Sequence, residues 1–172
     1  MKTRIQKTLK NRRCNAVKTT NDPLRRLVLF YEREFYVFSS FSSFAVEWRG
    51  EVWPTAEHAY QSAKFSDAAI KEKIKNARSA HDAKQIARAH ENVKRIDWSE
   101  AKLFIMEEIV RAKLSQHPYI QEKLFLTGER KIIEDSHKDA FWGWGPNKDG
   151  KNHLGKIWMK LREETGSVTL KI

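Results

Sequence analysis

The segment WPTAEHAYQSAKF (residues 53–65) marks the point where a predicted strand ends and a helix begins. Its Pro-Thr pair stops the strand, and the hydroxyl of Thr55 can cap the free N–H groups of the helix that follows. Glu57 falls in the first helical turn, where a carboxylate complements the positive end of the helix dipole. Because Glu57, Gln61 and Lys64 recur at i, i+4 and i+7, one helical face carries a carboxylate, an amide and an amine.

This polar row lies beside an apolar strip that predicts contact with a core, formed by Ala56, Ala59, Tyr60 and Ala63. Two interpretations of the row stay open: part of a binding or catalytic site, or an exposed Glu–Lys face of the kind that is common on helices. The neighbouring His58 has no HExxH partner, so it is interpreted as a hydrogen-bonded structural residue and not as a metal ligand.

Strand signals precede this helix. Residues 27–31 (LVLFY) form a short apolar run of strand formers. Phe44, Val46 and Trp48 then alternate with small or polar residues up to an Arg-Gly pair, after which Val-Trp resumes at 52–53. This pattern predicts a β-hairpin that ends where the helix begins.

The rest of the chain is predominantly helical in pattern. Ser79 with Asp82, and Asp97 with Glu100, are spaced as capping boxes at the starts of two helices, the first extending to about His90. The remaining signals are an apolar stripe in the longest helix (Leu103, Met106, Val110, Leu114), a short helix from Pro118 to Gly128, a last amphipathic helix (Leu154, Ile157, Trp158, Leu161) and a terminal strand (Val168, Leu170, Ile172). The fold class predicted is α+β, with a single compact, mainly helical domain and a small N-terminal β element.

The net charge is concentrated in the first residues. The chain has 172 residues and a net charge of +11, and residues 1–26 hold nine Lys or Arg against the single acid Asp22. We therefore predict a basic, flexible leader at 1–26 and a single folded domain at 27–172. The leader is interpreted as a solvated tail, as an arm that binds nucleic acid, or as an organellar targeting segment.

Cysteine usage and hydropathy bear on localisation. The only cysteine is Cys14, which excludes an internal disulfide or a Cys-based zinc site in residues 27–172 and fits a reducing, cytoplasmic setting. No apolar run reaches the roughly 18 residues that a membrane span needs, so no membrane partner is expected.

A second unusual segment is KIIEDSHKDAFWGWG (131–145), where aromatic residues are interleaved with glycines and acids. Such rings offer flat faces for a nucleobase or ribose, while the alternative is a loop held by aromatic anchors. The following Gly-Lys-Asn-His-Leu-Gly (150–155) lacks P-loop or GxGxxG spacing and does not predict a nucleotide triphosphate site.

Taken together, WPTAEHAYQSAKF (53–65), AFWGWG (140–145) and GKNHLGKIWMKLR (150–162) strongly resemble the NADAR (YbiA-like) family, in the same order and with similar separations, over roughly residues 28–164. The resemblance implies a hydrolase with a mainly helical fold that cleaves N-glycosidic bonds of ribosylated amines. Two kinds of substrate are implied: early riboflavin-pathway intermediates and ADP-ribose attached to guanine.

The resemblance also implies site residues. Glu57 and Lys64 match the acid and the lysine of the first motif, and Trp98 matches an aromatic residue ahead of the long helix. Asp139, Trp142, Gly143 and Asn152 match late pocket residues. Phe41 and Gln61 complete the candidate substrate-binding set. Two departures bear on the substrate: Phe-Ser-Ser-Phe at 38–41 replaces the usual Phe-Ser-Asn-Phe, and Ala-Arg at 87–88 replaces Gly-Arg.

Hydrolysis of a ribosyl C–N bond passes through an oxocarbenium-like state, which needs a negative group near the anomeric carbon and an acid for the leaving nitrogen. Glu57 is expected to act mainly as general acid/base and Asp139 to stabilise charge and bind ribose, although these roles are exchangeable. Trp98 and Trp142 are expected to stack. Lys64 either attacks an opened ribose aldehyde or stays charged and binds phosphate or Glu57. No metal and no cofactor is expected.

The rival class is a non-catalytic module that binds ADP-ribose or an NAD-like ligand. The joint presence of Glu57, Lys64 and Asp139 favours the enzyme, because aromatic surfaces and phosphate contacts would suffice for binding alone.

Overall fold

The computed structural model describes residues 26–31 and 35–169, with side chains up to residue 166. Its strands are β1 (Leu27–Phe30), β2 (Val46–Trp48), β3 (Glu51–Trp53) and β4 (Lys131–Glu134). Its helices are α1 (Ala56–Ser62), α2 (Ala68–Lys75), α3 (Ala80–Ala89), α4 (Trp98–Gln116), α5 (Pro118–Leu126) and α6 (His153–Thr169). The predicted α+β, mainly helical class is confirmed. The predicted leader lies outside the described residues except for Arg26.

The predicted hairpin is confirmed. β2 and β3 pair antiparallel, with Val46 opposite Trp53 and Trp48 opposite Glu51. The turn between them needs two positive φ angles, 53° at Arg49 and 78° at Gly50. Glycine reaches this region without strain, which places it in the tight turn.

β1 pairs in parallel with β4, so that Leu27 lies opposite Lys131 and Phe30 opposite Glu134. The sequence predicted β1 but treated 131–145 as a turn-rich stretch. A strand of four residues, KIIE, is too short for its periodicity to be recognised. The pairing brings the end of β4 beside the chain that follows β1.

Side-chain caps agree with the prediction at two helices and disagree at a third. Thr55 Oγ1 accepts the His58 N–H at the start of α1, and Ser79 Oγ accepts the Asp82 N–H at the start of α3. The capping box predicted at Asp97 is wrong, because both of its carboxylate oxygens accept hydrogen bonds from Arg95 at 2.6 Å. The α4 N-terminus therefore lacks a side-chain cap.

The predicted C-terminal strand is also wrong at its first residue. α6 continues through Thr169, so Val168 is helical, and Leu170 and Ile172 lie outside the described residues. Alternation over so few residues does not outweigh continuation of an established helix, because each added helical residue forms another backbone hydrogen bond.

The core is built around α4 and α6. The buried face of α4 contains the predicted Met106, Val110 and Leu114, but Leu103 is 37% exposed. Trp158 of α6 is fully buried, packs 4.8 Å from the Phe38 ring and donates its indole N–H to the Phe38 carbonyl oxygen at 2.8 Å. α6 therefore anchors the segment that follows β1.

A buried lysine anchors the same segment from α4. Lys113 Nζ donates to the carbonyl oxygens of Val37 and Ser39 at 2.6 and 2.9 Å and to Ser42 Oγ at 2.6 Å. Burial lowers the pKa of this lysine to about 7. The three contacts fix the backbone of residues 37–42 against the core.

Among the described residues, no helix combines the length and hydropathy required to cross a membrane.

Candidate functional site

A cavity of about 900 Å³ opens between α1, α3, the segment that follows β1 and the segment that follows β4. Its volume is within the usual range for small-molecule sites. Six of the sequence-predicted site residues line it: Phe41, Glu57, Gln61, Lys64, Asp139 and Trp142. Two motifs that are far apart in sequence therefore meet at one cavity.

Glu57 is held rigidly at the wall of this cavity. Its side chain is 4% exposed. Ser40 Oγ donates to Oε2 at 2.7 Å, and Gln61 Nε2 donates to Oε1 at 2.6 Å. The Glu57 backbone N–H also donates to the Ser40 carbonyl oxygen at 2.9 Å. Both carboxylate oxygens accept hydrogen bonds, an arrangement that suits the charged form.

Ser40 stands at one of the positions where the sequence departs from the family pattern. It makes the contact with Glu57 that fixes one of the carboxylate oxygens. The Lys113 contacts to Val37, Ser39 and Ser42 hold the backbone on either side of it. The sequence does not predict these contacts, because a lysine beside an apolar stripe of a helix does not indicate which distant groups it binds.

Gln61 presents a carbonyl oxygen without a partner. The residue is 2% exposed, and Oε1 is buried with no hydrogen bond among the described residues. A buried unpaired acceptor costs about 1–3 kcal/mol. Gln61 also lines the cavity, so this oxygen would meet a donor on a bound ligand only after a rotation of the side chain exposes it.

The Lys64 amine lies near two aromatic rings that pack against each other. Its Nζ is 5.8 Å from the Tyr60 ring centroid and 5.7 Å from that of Trp98. Burial lowers the pKa of Lys64, while the charges of Glu91 and Glu57 oppose this shift. The amine is therefore easier to deprotonate than an exposed lysine.

Asp139 faces the cavity from the segment after β4. Its Oδ1 accepts the backbone N–H groups of Phe141 and Trp142 at 2.9 and 2.8 Å. The Trp142 ring packs edge-on against Tyr60, with centroids 5.5 Å apart. Burial and the neighbouring Glu57 raise the pKa of Tyr60 far above its usual value, so its hydroxyl stays protonated.

Three predicted residues do not line the cavity but support it from behind. Trp98 is buried against Tyr60, with ring centroids 5.0 Å apart. Gly143 leaves room for the β4 backbone, since a Cβ there would lie 2.6 Å from the Glu134 carbonyl oxygen. Asn152 is 4% exposed and bonds to β4: its Oδ1 accepts the Glu134 N–H and its Nδ2 donates to the Ile132 carbonyl oxygen.

Glu134, at the end of β4, is a cavity residue that sequence reasoning did not identify. Burial raises its pKa to about 8, and the negative charges of Asp139 and Glu57 add to this effect while Lys84 opposes it. Its Oε2 is buried with no hydrogen-bond partner among the described residues. The only sequence feature that pointed to Glu134 as a site residue was its position just before a cluster of acidic and aromatic residues.

Three exposed basic side chains that the sequence analysis did not single out as site residues also line the cavity. Lys84 and Arg88 come from α3, and Lys138 precedes Asp139. Lys84 Nζ lies 5.6 Å from the Phe41 ring centroid. The cavity therefore combines carboxylates on its wall with exposed cations at its margin, which suits a ligand that carries phosphate.

A second cavity, of about 630 Å³, lies near the β2–β3 hairpin. Its carboxylates are already paired: Glu51 bonds to Lys75, and Asp97 bonds to Arg95. Its polar groups are therefore less available for chemistry. In the part of the chain that the structure describes, no group of three or more His, Cys, Asp or Glu side chains could hold a metal ion.

Comparisons with known proteins agree with the fold and the motifs. The NADAR domain model matches residues 29–165. An N-glycosidase of Nostoc punctiforme is 39% identical over 142 residues, covering 80% of this chain and 91% of that protein. N-glycosidase YbiA of Escherichia coli is 35% identical over 127 residues, covering 74% and 79%. These names agree with the predicted enzyme class, a hydrolase that acts on N-glycosyl compounds.

A riboflavin biosynthesis protein of Vibrio vulnificus is 37% identical over 139 residues, and the match spans only 38% of that longer protein. The NMR structure of Escherichia coli YbiA superimposes with a TM-score of 0.77 at 32% identity, covering 85% of this chain and 88% of that one. The match of family model, sequence and fold over most of the chain shows that it belongs to the NADAR domain family.

Proposed function

We propose that this protein is an N-glycosidase that hydrolyses the C1–N bond of a phosphorylated N-riboside whose leaving group is an amino-substituted purine or pyrimidine. The observation that carries the proposal is that one cavity is lined both by Glu57 and Asp139 and by the basic side chains Lys64, Lys84 and Arg88. Carboxylates suit the cationic sugar of the transition state, and cations suit its phosphates.

The hydrogen bonds to the two carboxylates support a catalytic role for them. Breaking the C1–N bond builds positive charge on the ribose, and a fixed negative group stabilises this charge without having to reorient. Glu57 is fixed by Ser40 and Gln61, and Asp139 by two backbone N–H groups. In the proposed reaction, one carboxylate stabilises C1 and the other orients the attacking water.

The aromatic walls support recognition of a heterocycle. Phe41, Tyr60 and Trp142 line the cavity, and such rings offer faces or edges for stacking. The unpaired Gln61 Oε1 adds an acceptor for an amino group or a sugar hydroxyl. Lys84, Arg88 and Lys138 are placed to bind phosphate groups nearer the opening.

Lys64 has two roles within this proposal. A neutral amine could attack the aldehyde of a ring-opened ribose and form an imine, a route that the lowered pKa supports. A charged amine could bind phosphate or pair with Glu57. Both routes end with the same products, a free sugar phosphate and a free heterocyclic amine.

Two substrates share the proposed chemistry, a ribosylaminopyrimidine phosphate of the riboflavin pathway and ADP-ribosylated guanine. The name of the Vibrio vulnificus relative supports the first. The test incubates the full-length protein separately with a 5-phosphoribosylaminopyrimidine and with ADP-ribosylated guanine in DNA. Release of ribose 5-phosphate or of ADP-ribose identifies the substrate.

The matched control is Glu57→Gln, which keeps the size of the side chain and removes its charge. Product formed by the wild type and lost in this variant supports the proposal. Binding of ADP-ribose by both proteins, without any product from either substrate, would overturn it in favour of the non-catalytic binding module.

A further inference from the structure

Glu134 occupies a rigid position at the junction of β4 and the cavity. Its backbone N–H donates to Asn152 Oδ1 at 3.0 Å, and its carbonyl oxygen accepts the Trp144 N–H at 3.2 Å. Gly143 packs closely against this backbone, since a Cβ added at Gly143 would lie 2.6 Å from the Glu134 carbonyl oxygen. The side chain is therefore directed into the cavity from a fixed base.

The three cavity carboxyl groups differ in their hydrogen bonds. Both oxygens of Glu57 accept hydrogen bonds, and one oxygen of Asp139 accepts two. Glu134 Oε2 is buried and accepts none from the described residues. A buried carboxylate without donors is strongly disfavoured, whereas a protonated carboxyl is tolerated and carries a hydrogen that it can donate.

Burial and the neighbouring acidic side chains both disfavour a negative charge on Glu134. Burial has the largest effect, and the acids Asp139 and Glu57 also repel a third negative charge, so the pKa of Glu134 rises to about 8. Lys84 opposes this shift. The other titratable groups of the cavity are the cations Lys64, Arg88 and Lys138, the imidazole of His81 and the hydroxyls of Tyr31, Tyr36 and Tyr60.

We propose that Glu134 is the catalytic acid that protonates the leaving nitrogen, while the hydrogen-bonded carboxyl groups of Glu57 and Asp139 face the sugar. This inference rests on the proposed N-glycosidase activity and assigns a third carboxyl group to the same cavity. The role of general acid, which the sequence predicted mainly for Glu57, is thereby assigned to Glu134. Hydrogen bonding, and not burial, distinguishes Glu134 from the other two carboxyl groups, because Glu57 is also buried while both of its oxygens accept hydrogen bonds.

Atoms and charges balance in the proposed step. The Glu134 carboxyl transfers its proton to the nitrogen as the C1–N bond breaks, and the bonding electron pair leaves with the nitrogen. Water adds to C1 and gives a proton to the Glu57 carboxylate. Glu134 regains a proton from solvent and Glu57 loses one to it, so the net reaction consumes one water and releases an amine and a sugar.

The first test compares Glu134→Gln with Glu57→Gln across a range of pH. The substrate is the phosphorylated N-riboside of the proposed function, whose leaving group is a heterocyclic amine; it is called the amine substrate below. Wild-type kcat/KM should fall above about pH 8, because the acid is lost as Glu134 ionises. Glu134→Gln should lower kcat about 10²–10⁴-fold and remove this alkaline limb. Turnover within twofold of wild type, or an unchanged limb in the variant, would overturn the assignment.

A second substrate separates acid catalysis from a structural defect. Nicotinamide ribose 5-phosphate releases a neutral pyridine and needs no proton on its leaving nitrogen. Glu134→Gln should therefore slow its hydrolysis by less than about tenfold, whereas Glu57→Gln should slow both substrates. Equal losses on both substrates in Glu134→Gln would mean that Glu134 only maintains the site.

Infrared spectroscopy tests the proton itself without any substrate. Wild-type protein at pH 7 should show the band of a protonated carboxyl group that disappears above about pH 8. The band should be missing in Glu134→Gln and present in Glu122→Gln, which alters an exposed glutamate on α5. A missing band in wild type would overturn the inference, and a protein with the band but without hydrolysis would instead overturn the proposed function.

Discussion

Replacing Asn152 with alanine should destabilise the domain more than it alters substrate recognition. The amide joins the start of α6 to β4 through the Glu134 N–H at 3.0 Å and the Ile132 carbonyl oxygen at 2.9 Å. Its φ of 50° lies in the left-handed region, which asparagine tolerates better than alanine. Gly155 leaves space for this amide, since a Cβ there would lie 2.5 Å from Asn152 Nδ2 and 2.2 Å from the Ile132 carbonyl oxygen.

The expected magnitude follows from these contacts. Each lost hydrogen bond leaves a buried backbone group, the Glu134 N–H or the Ile132 carbonyl oxygen, without a partner, at a cost of about 1–3 kcal/mol. Alanine in the left-handed region adds about 1 kcal/mol. The free energy of unfolding should therefore fall by about 3–7 kcal/mol, a large part of the stability of an ordinary domain.

Urea unfolding followed by tryptophan fluorescence measures this change. Asn152→Gly removes the same hydrogen bonds without the backbone strain, so it should be more stable than Asn152→Ala by about 1 kcal/mol. Asn147→Ala, at an exposed position in the preceding loop, should unfold like wild type. If Asn152→Ala unfolds like wild type and only raises KM, the amide binds substrate and its structural role is refuted.

Three further predictions concern the proposed activity and the leader. Glu57→Gln should keep the fold and lower turnover about 10²–10⁴-fold in a steady-state assay on the amine substrate, and turnover within twofold of wild type would exclude a catalytic role. If Lys64 forms an imine, borohydride added during turnover should leave a reduced sugar adduct on the Lys64 peptide in mass spectra; no adduct, with substantial activity in Lys64→Arg, would indicate the electrostatic role. A chain that begins at Leu27 should lose most of the salt-dependent affinity for DNA and keep activity on small substrates. If it binds DNA with the same affinity and the same salt dependence as the 172-residue chain, the basic surface lies in the domain and not in the leader.

The fold class was largely predictable because its signals are local. The caps at Thr55 and Ser79, the Arg-Gly turn at 49–50 and the apolar stripe of α6 each act within a few residues of chain. The helical spacing correctly placed Glu57 and Gln61 on one face of α1, but α1 ends at Ser62, so Lys64 lies in the turn beyond the helix; all three residues nevertheless line the cavity. Because Glu57 and Gln61 are buried, the interpretation as an exposed Glu–Lys face is wrong for these two residues, and their role in a site stays a prediction.

What could not be predicted depends on contacts between distant segments. Glu134 becomes a cavity residue only because β4 pairs with β1 and Gly143 packs against its backbone. Ser40 reaches Glu57 because Lys113 and Trp158 fix the segment around it. Motif resemblance grouped Asn152 with the pocket, yet it gave no way to distinguish a residue that touches a ligand from one that supports β4.

The pairing of β1 with β4 has a consequence for synthesis of the chain. β1 leaves the ribosome early, but its partner, residues 131–134, is made only after α1 to α5. The indole of Trp158 that bonds to Phe38 arrives later still. Contacts of such long sequence separation form slowly, because the intervening chain must first lose its conformational freedom. The cavity is consequently among the last parts of the domain to assemble, and a nascent or partly unfolded chain cannot bind the substrate. A ligand of the cavity therefore stabilises the complete fold selectively, and its protection against thermal unfolding should grow with the logarithm of ligand concentration above Kd.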